Sequence, residues 1–271
     1  VGKPLSGGFP VFFKARPSGN QCPGRIGAPI ITALLIPACQ ITIFEVPLDF
    51  ITRFFYPHPN ATGTWGMKHP CSGVILAGGL STRYGGENKA FLRVGGMRIL
   101  DRLFAVYRQV FDEIILVTNN PVEFLEWDAL IVSDIFPFRS SLTGVHAGLF
   151  YARHPFAFFS ACDTPFLKKK VVETVLEKID PADDMVIPQT SSGLEPLCAA
   201  YSKRCLKVAE DHLRANKLKI QLALQKGRIR KIPEERLREK DPELVSFFNV
   251  NTPEDLARAE QMLAAGSATE A

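Results

Sequence analysis

From residue 73 onward, short apolar runs alternate with longer segments of helical periodicity, and this alternation restricts the fold more than any other feature of the chain. Gly73–Leu76 (GVIL) reads as a buried strand. Arg98 to Phe111 carries Ile99, Leu100, Leu103, Phe104, Tyr107 and Phe111 at helical spacing. Glu113–Thr118 (EIILVT) is the next strand, Pro121 to Trp127 a short helix, and Ala129–Ser133 (ALIVS) a third strand. Leu142 to Ala152 reads as a helix, Phe156–Ala161 as a strand, Lys168 to Ile179 as a helix, and Asp184–Pro188 as a strand. Strands alternating with helices predict an α/β fold, with an open, mostly parallel, Rossmann-like sheet in a three-layer arrangement, helices on both faces. Ligands of such sheets bind outside the carboxyl ends of the strands. A site is therefore expected in the loops after Leu76, Thr118, Ser133 and Ala161.

The last helix is signalled by Thr252 as its cap, Pro253 in its first turn, and Glu254 and Asp255 at the positive end of its dipole. It is expected to run to about Ala265, with a frayed tail from Gly266. Residues 1–66 read differently. They are rich in proline, hold Glu45 and Asp49 as their only acidic residues, and sustain no amphipathic period. Met67 is the first methionine. We read it as the natural start of a domain spanning 67–271, with 1–66 a non-native or disordered extension. The competing reading is a real extension that packs on the domain or binds a partner.

Composition narrows the function classes. The net charge of +4 permits anionic substrates but supplies no concentrated basic stripe of the kind nucleic acid calls for. The apolar segment from Ala28 to Phe44 is shorter than the ~20 residues of a membrane span and is interrupted by Pro37 and Gln40. Neither a nucleic acid nor a membrane is expected as partner. Cys22, Cys39, Cys71, Cys162, Cys198 and Cys205 form no CxxC pair, which fits a reducing cytoplasm.

Two motifs carry chemistry. The first, Leu76-Ala77-Gly78-Gly79-Leu80-Ser81-Thr82-Arg83-Tyr84-Gly85-Gly86, follows a buried strand, and Lys89 lies three residues beyond it. Adjacent glycines let backbone N–H groups approach a phosphate, and Arg83 and Lys89 add positive charge for a triphosphate. The spacing matches neither GxxxxGK[ST] nor GxGxxG. The bland alternative is a glycine-rich turn with two surface cations. The second motif, Phe159-Ser160-Ala161-Cys162-Asp163-Thr164-Pro165-Phe166, ends an apolar strand at a single carboxylate. Mg²⁺ takes one or two carboxylates together with phosphate oxygens and waters, and Asp163 is placed for that. An Asx-turn closing the strand is the bland alternative.

Asp134, at the end of the ALIVS strand, could accept from a base or ribose or simply cap its loop. In Phe247-Phe248-Asn249-Val250-Asn251-Thr252, strand alternation would put Asn249 and Asn251 on one side, where an amide oxygen could join a metal shell; bonding to local backbone is the alternative. His146 is expected to be packed in an apolar helix, and Cys162 has no basic partner that would make it reactive. The basic stretch from Arg214 to Lys240 is expected to form solvated helix faces.

Together these motifs resemble the molybdenum cofactor guanylyltransferases, within the nucleotide-diphospho-sugar transferase type of fold. The resemblance runs from about Cys71 to Ala265. LAGGLSTRYGG with Lys89 is similar to the family's LAGG-x-S-x-R-M-G-x-x-D-K loop, ACDTPF to its metal-binding segment, and FNVNTPEDL to its ending. It implies transfer of GMP from GTP to the terminal phosphate of molybdopterin or Mo-molybdopterin, with release of pyrophosphate and dependence on Mg²⁺. It implies that Leu76, Ala77, Gly78 and Gly79 hold the nucleotide by backbone groups and that Arg83 and Lys89 contact phosphates. Asn120 or its neighbours and Asp134 would lie near the guanine and ribose. Asp163 would bind nucleotide and metal, and Gly193 to Leu197 with Asn249 to Asn251 would line the acceptor side. Other molybdenum-cofactor biosynthesis proteins and apo-molybdoenzymes are implied as partners.

Three positions depart from the family pattern. Tyr84 replaces a methionine, Asn88-Lys89 replaces Asp-Lys, and Ser140-Ser141-Leu142-Thr143-Gly144 replaces G-P-L-x-G. The position aligned with a guanine-contacting asparagine holds Thr118. A cytidylyl- or sugar-nucleotide transferase of the same fold, or a non-catalytic protein that delivers finished cofactor, are the rival readings.

Overall fold

A computed structural model describes residues 70–78, 88–224 and 227–269, together with the strands β1 (Phe13–Lys14), β2 (Ile30–Leu35) and β3 (Thr42–Pro47). The expected boundary at Met67 lies outside the described residues. The remaining strands are β4 (Cys71–Leu76), β5 (Arg93–Val94), β6 (Met97–Arg98), β7 (Ile114–Val117), β8 (Leu130–Val132), β9 (Phe156–Ala161), β10 (Met185–Thr190), β11 (Gly193–Leu194), β12 (Cys198–Ser202) and β13 (Ile229–Pro233). The helices are α1 (Ile99–Val110), α2 (Ser141–Tyr151), α3 (Lys169–Leu176), α4 (Cys205–Arg214), α5 (Ile220–Leu224), α6 (Glu234–Arg238) and α7 (Pro253–Thr269).

Among the described residues the main sheet has the order β1-β8-β7-β4-β9-β12-β10-β11, with β13 also on β10. From β8 to β9 every neighbour is parallel. Beyond β9 the sheet is mixed: β12 runs antiparallel to both β9 and β10, while β13 is parallel to β10. The expected α/β architecture therefore holds, with an antiparallel strand inserted. Strand β12 escaped the sequence reading. All five of its residues, Cys-Ala-Ala-Tyr-Ser, are buried, so no in-and-out alternation marks it. Strand β13 likewise interrupts the helix faces expected through 214–240, of which α5 and α6 are present.

The period of two in the strands divides the core into two layers. Ile75, Phe156 and Phe158 face α1, α3 and α7, whereas Val74, Ala157 and Phe159 face α2, α4 and α5. Helix α1 lays Leu100, Leu103, Phe104 and Tyr107 on the sheet. The buried Tyr107 hydroxyl donates to Val74 O at 3.0 Å and bonds Ser160 Oγ at 2.8 Å, so the polar group carried into the core is satisfied. Helix α2 is buried nearly all round and comes very close to the sheet. A Cβ at Gly148 would lie 2.5 Å from Phe159 Cε1 and 2.7 Å from Val74 Cγ1, so glycine sets that approach.

Some boundaries differ from expectation. The short helix at Pro121 is a 3-10 turn ending at Phe124, and α3 is shorter than Lys168 to Ile179. Helix α7 continues past Ala265 to Thr269. Its start is as expected: Thr252 Oγ1 accepts from Asp255 N at 3.2 Å, while Asp255 Oδ2 accepts from Thr252 N at 2.9 Å and Asn251 N at 3.0 Å. Phe247 to Asn251 is not a strand. A 3-10 turn, Val245–Phe247, precedes a loop with no ladder partner, although burial still alternates through exposed Asn249, buried Val250 and half-buried Asn251.

Candidate active site

The parallel strands end in a cleft of about 340 Å³. Ala77 N donates to Val117 O at 2.8 Å and Cys162 N donates to Leu76 O at 3.0 Å. These bonds continue the ladders one residue past the strands, so the loops after β4, β7 and β9 leave the sheet side by side. Leu76, Gly78 and Val117 thereby line the floor of the cleft together with Ala161 and Asp163.

Lys89 enters from a 3-10 turn, Lys89–Phe91. Asn88 Oδ1 caps it by accepting from Ala90 N at 3.1 Å. The Lys89 ammonium donates to Asn251 Oδ1 at 2.9 Å and lies 4.0 Å from Asp163 Oδ2. Three distant segments thus meet at one charge. Asp163 is fixed by its backbone: its carbonyl accepts from Val250 N at 2.8 Å, and Thr164 Oγ1 donates to Ala161 O at 2.8 Å. Burial pushes the Asp163 carboxyl above the usual carboxylate value, and the nearby Lys89 charge opposes this. The adjoining Cys162 thiol is pushed far up by burial and by Asp163, so it is not a nucleophile.

The two loops that carry Asp163 and Asn251 are joined again at their base. Asp241, fully buried, accepts from Ser246 N at 2.8 Å. The Lys168 ammonium lies 2.9 Å from Asp241 Oδ1, an ion contact off hydrogen-bond geometry. Lys168 N in turn donates to Ser246 Oγ at 3.1 Å.

At the other end of the cleft stands Asp134, just after β8. Asn119 Nδ2 donates to Asp134 Oδ2 at 2.8 Å, and Asp134 N donates to Asn119 Oδ1 at 3.4 Å. Asp134 Oδ1 is buried with no hydrogen-bond partner among the described residues. Burial raises the Asp134 carboxyl, against the Asn119 hydrogen bond and the charge of Arg139.

Not every expected residue meets the cleft. Asn120 turns away: its Nδ2 donates to Glu123 Oε1 at 3.4 Å, and its N donates to Thr118 Oγ1 at 3.2 Å. Asn119 is the asparagine that faces Asp134. Ala77 is buried behind the floor, Asn249 is exposed, and Asn251 reaches the cleft through Lys89. Gly79 and Arg83 lie outside the described residues. Leu197 lines the side nearer β12. His146 is packed as expected, 4% exposed and edge-on to Phe136, with Nδ1 unpartnered among the described residues.

Sequence reasoning missed Arg139, and it treated Ser140 and Ser141 only as a departure. All three line the cleft. Ser140 caps α2 by accepting from Thr143 N at 3.1 Å. The available signal was the alternation Phe136, Phe138, which directs two aromatics inward and leaves Arg139 outward.

Among the described residues no three His, Cys, Asp or Glu side chains group as metal ligands. Asp163, the one carboxylate at the β9 end of the cleft, suits Mg²⁺, which binds few protein ligands and keeps phosphate oxygens and water.

Residues 73–229 match the MobA-like NTP transferase domain. The molybdenum cofactor guanylyltransferase of Desulfosudis oleivorans is 48% identical over 195 residues, covering 72% of this chain and 96% of that protein. The crystal structure of molybdopterin-guanine dinucleotide biosynthesis protein A from Archaeoglobus fulgidus superposes with a TM-score of 0.65 at 29% identity, covering 72% of this chain and 99% of the other. The 2-C-methyl-D-erythritol 4-phosphate cytidylyltransferase of Thermus thermophilus shares the fold at a TM-score of 0.54 and 19% identity, over 71% of this chain and 98% of the other.

Proposed function

The chain belongs to the MobA-like NTP transferase family, and from that premise we propose that it is a molybdenum cofactor guanylyltransferase, which joins GMP from GTP to the terminal phosphate of molybdopterin or its molybdenum-bearing form and releases pyrophosphate. The observation that carries the reading is the convergence of Lys89, Asp163 and Asn251 at the carboxyl ends of β4 and β9.

The acceptor is a phosphate already ionised at neutral pH, so the reaction needs no strong general base. The protein's work is to bring two anions together and hold them in line. Lys89 and Gly78 line the same cleft, and Lys89 would meet the charge of a triphosphate laid over Gly78. Asn251 orients that ammonium, and the Asp163 carboxylate keeps it within 4.0 Å. Asp163 is the residue that would hold Mg²⁺, and the bound ion would neutralise charge on the reacting phosphate and the leaving pyrophosphate. Arg83, read from the sequence alone, would add a second cation to the phosphates. Asp134 and Asn119 would lie at the nucleoside end, and Leu197 on the acceptor side.

The four described cysteines, Cys71, Cys162, Cys198 and Cys205, are free and buried, which supports a cytoplasmic setting. Among the described residues no helix is long and apolar enough to cross a membrane.

The test is pyrophosphate release by the purified protein with Mg²⁺ and molybdenum cofactor, comparing GTP, CTP and ATP. Release with GTP alone is expected. Release with CTP alone would replace the nucleotide. Tight GTP binding without release would favour a carrier.

A further inference from the structure

The cleft has two charged ends, and only one is explained by phosphate chemistry. Lys89 and Asp163 stand at β4 and β9. Asp134 follows β8, two strands from β4 in the order β8-β7-β4-β9. With neighbouring strands ~4.8 Å apart, that separates the Asp134 end from the end of β4 by about 10 Å. A triphosphate held at β4 and β9 would therefore point its nucleoside toward Asp134.

Arg139 lines this second end. The segment from Asp134 to Ser140 presents it there for packing reasons. Phe136 and Phe138 are packed against the core layer under α2, with Phe136 edge-on to His146 at 5.0 Å. Ser140 is fixed as the cap of α2. Arg139, between Phe138 and the cap, is exposed. Its charge acts on the Asp134 carboxyl, yet it makes no hydrogen bond or ion pair with any described residue. A guanidinium beside a carboxylate is a poor seat for a second phosphate, which the carboxylate would repel. It is a good seat for an uncharged ring with acceptors on its edge.

Resting on the guanylyltransferase reading, we propose that Arg139 is a specificity-determining residue that reads the base of the nucleotide by donating its guanidinium N–H groups to O6 and N7 of guanine. The planar fork matches these two adjacent acceptors. Adenine would set its N6 amino group against the same donors, and cytosine offers no such pair on an imidazole ring. Asp134 restrains the guanidinium by its charge and leaves the fork free for the base.

Removing one acceptor from the nucleotide and the donor from the protein should not be additive if the two touch. Wild type and Arg139→Met are titrated calorimetrically with GTP and with 7-deaza-GTP, which lacks only N7 as an acceptor. Turnover with GTP, CTP and ATP is measured in parallel. Wild type should bind 7-deaza-GTP about tenfold more weakly than GTP. Arg139→Met should bind GTP ~10- to 100-fold more weakly, bind the two nucleotides equally, and lose preference for GTP. Its melting temperature should match wild type, since Arg139 is exposed. An undiminished preference for GTP over 7-deaza-GTP in Arg139→Met would overturn the proposal. So would a defect confined to the KM for the molybdopterin acceptor, which would place Arg139 on the acceptor phosphate. Wild type that binds GTP tightly without turnover, with the same non-additivity, would sustain base reading and remove the catalytic assignment. Wild type that does not bind GTP would remove both.

Discussion

Lys89 and Asn251 stand 162 positions apart in the chain, and the Lys89 ammonium donates to Asn251 Oδ1 at 2.9 Å. An amide oxygen is a neutral acceptor. It aims the ammonium without cancelling its charge, which a carboxylate in its place would do. Asn251→Ala is therefore expected to lower kcat/KM about tenfold with the fold unchanged, because the lysine remains but loses its orientation. Asn251→Asp should be worse than Asn251→Ala for triphosphate binding, since it adds a negative charge beside the phosphates. Steady-state pyrophosphate release and nucleotide titration for both variants check the ordering.

Asp163→Ala and Lys89→Ala should each remove most turnover, by ~10²- to 10³-fold, because each deletes a charge at the centre of the proposed transfer. Circular dichroism and melting curves should remain those of the wild type. Turnover within a factor of a few of wild type in either variant would contradict the role given to that residue.

Asp241 offers a separate prediction, since it bonds neither Asp163 nor Asn251 but ties their loops together. Asp241→Ala leaves Ser246 N without its acceptor and Lys168 without its buried partner. A loss of ~1–3 kcal/mol in denaturant unfolding is expected, together with a lower kcat that Asp241→Asn partly restores. An unchanged kcat in a destabilised Asp241→Ala would make the brace structural only.

The close approach of α2 to the sheet depends on Gly148. Gly148→Val adds a Cβ within 2.5 Å of Phe159 and 2.7 Å of Val74 and branches it. A loss of ~1–3 kcal/mol is expected, read as a fall in melting temperature of ~2–4 °C per kcal/mol. A melting temperature equal to that of the wild type would show that the helix can move off the sheet at no cost.

His146 supplies a pH dependence. Burial depresses its pKa below 6.5, against the neighbouring Glu210 charge and with that of Arg214. Below 6.5 the unfolded chain takes up a proton that the folded chain refuses. The unfolded state then binds more protons, so stability falls as pH drops from 6.5 toward the depressed folded value. His146→Met, which keeps an apolar side chain of similar size, should flatten this part of the curve. Melting temperatures of both proteins between pH 5 and 7.5 measure it, and parallel curves would count against the assignment.

The parallel half of the sheet was legible because its strands and helices differ in hydrophobic period. The register that divides β4 and β9 between two core layers follows from that period alone. Strand β12 was not legible, since full burial erases alternation and Cys-Ala-Ala-Tyr-Ser lacks branched residues. The loop from Phe248 to Asn251 misled in the opposite way, keeping alternate burial without a ladder. Lys89 and Asp163 could be named from their motifs, but their meeting point could not. It depends on the Val250–Asp163 backbone bond and on Asn251, which only the tertiary fold supplies. Arg139 carried no motif at all. Its direction is set by where Phe136 and Phe138 pack, and the sequence does not say which face of the loop is the cleft.

The hydrogen bond from Val250 N to the Asp163 carbonyl has a consequence for how the protein is made. Every strand of the main sheet precedes Val250 in the chain. During synthesis the sheet can assemble while this clasp and the Asn251 amide that Lys89 bonds are still missing. A ribosome that stops short of Asn251 would thus release a product with the main sheet able to form and Lys89 without its bond to Asn251, so truncated copies could bury the core layer under α2, α4 and α5 without being able to carry out the transfer.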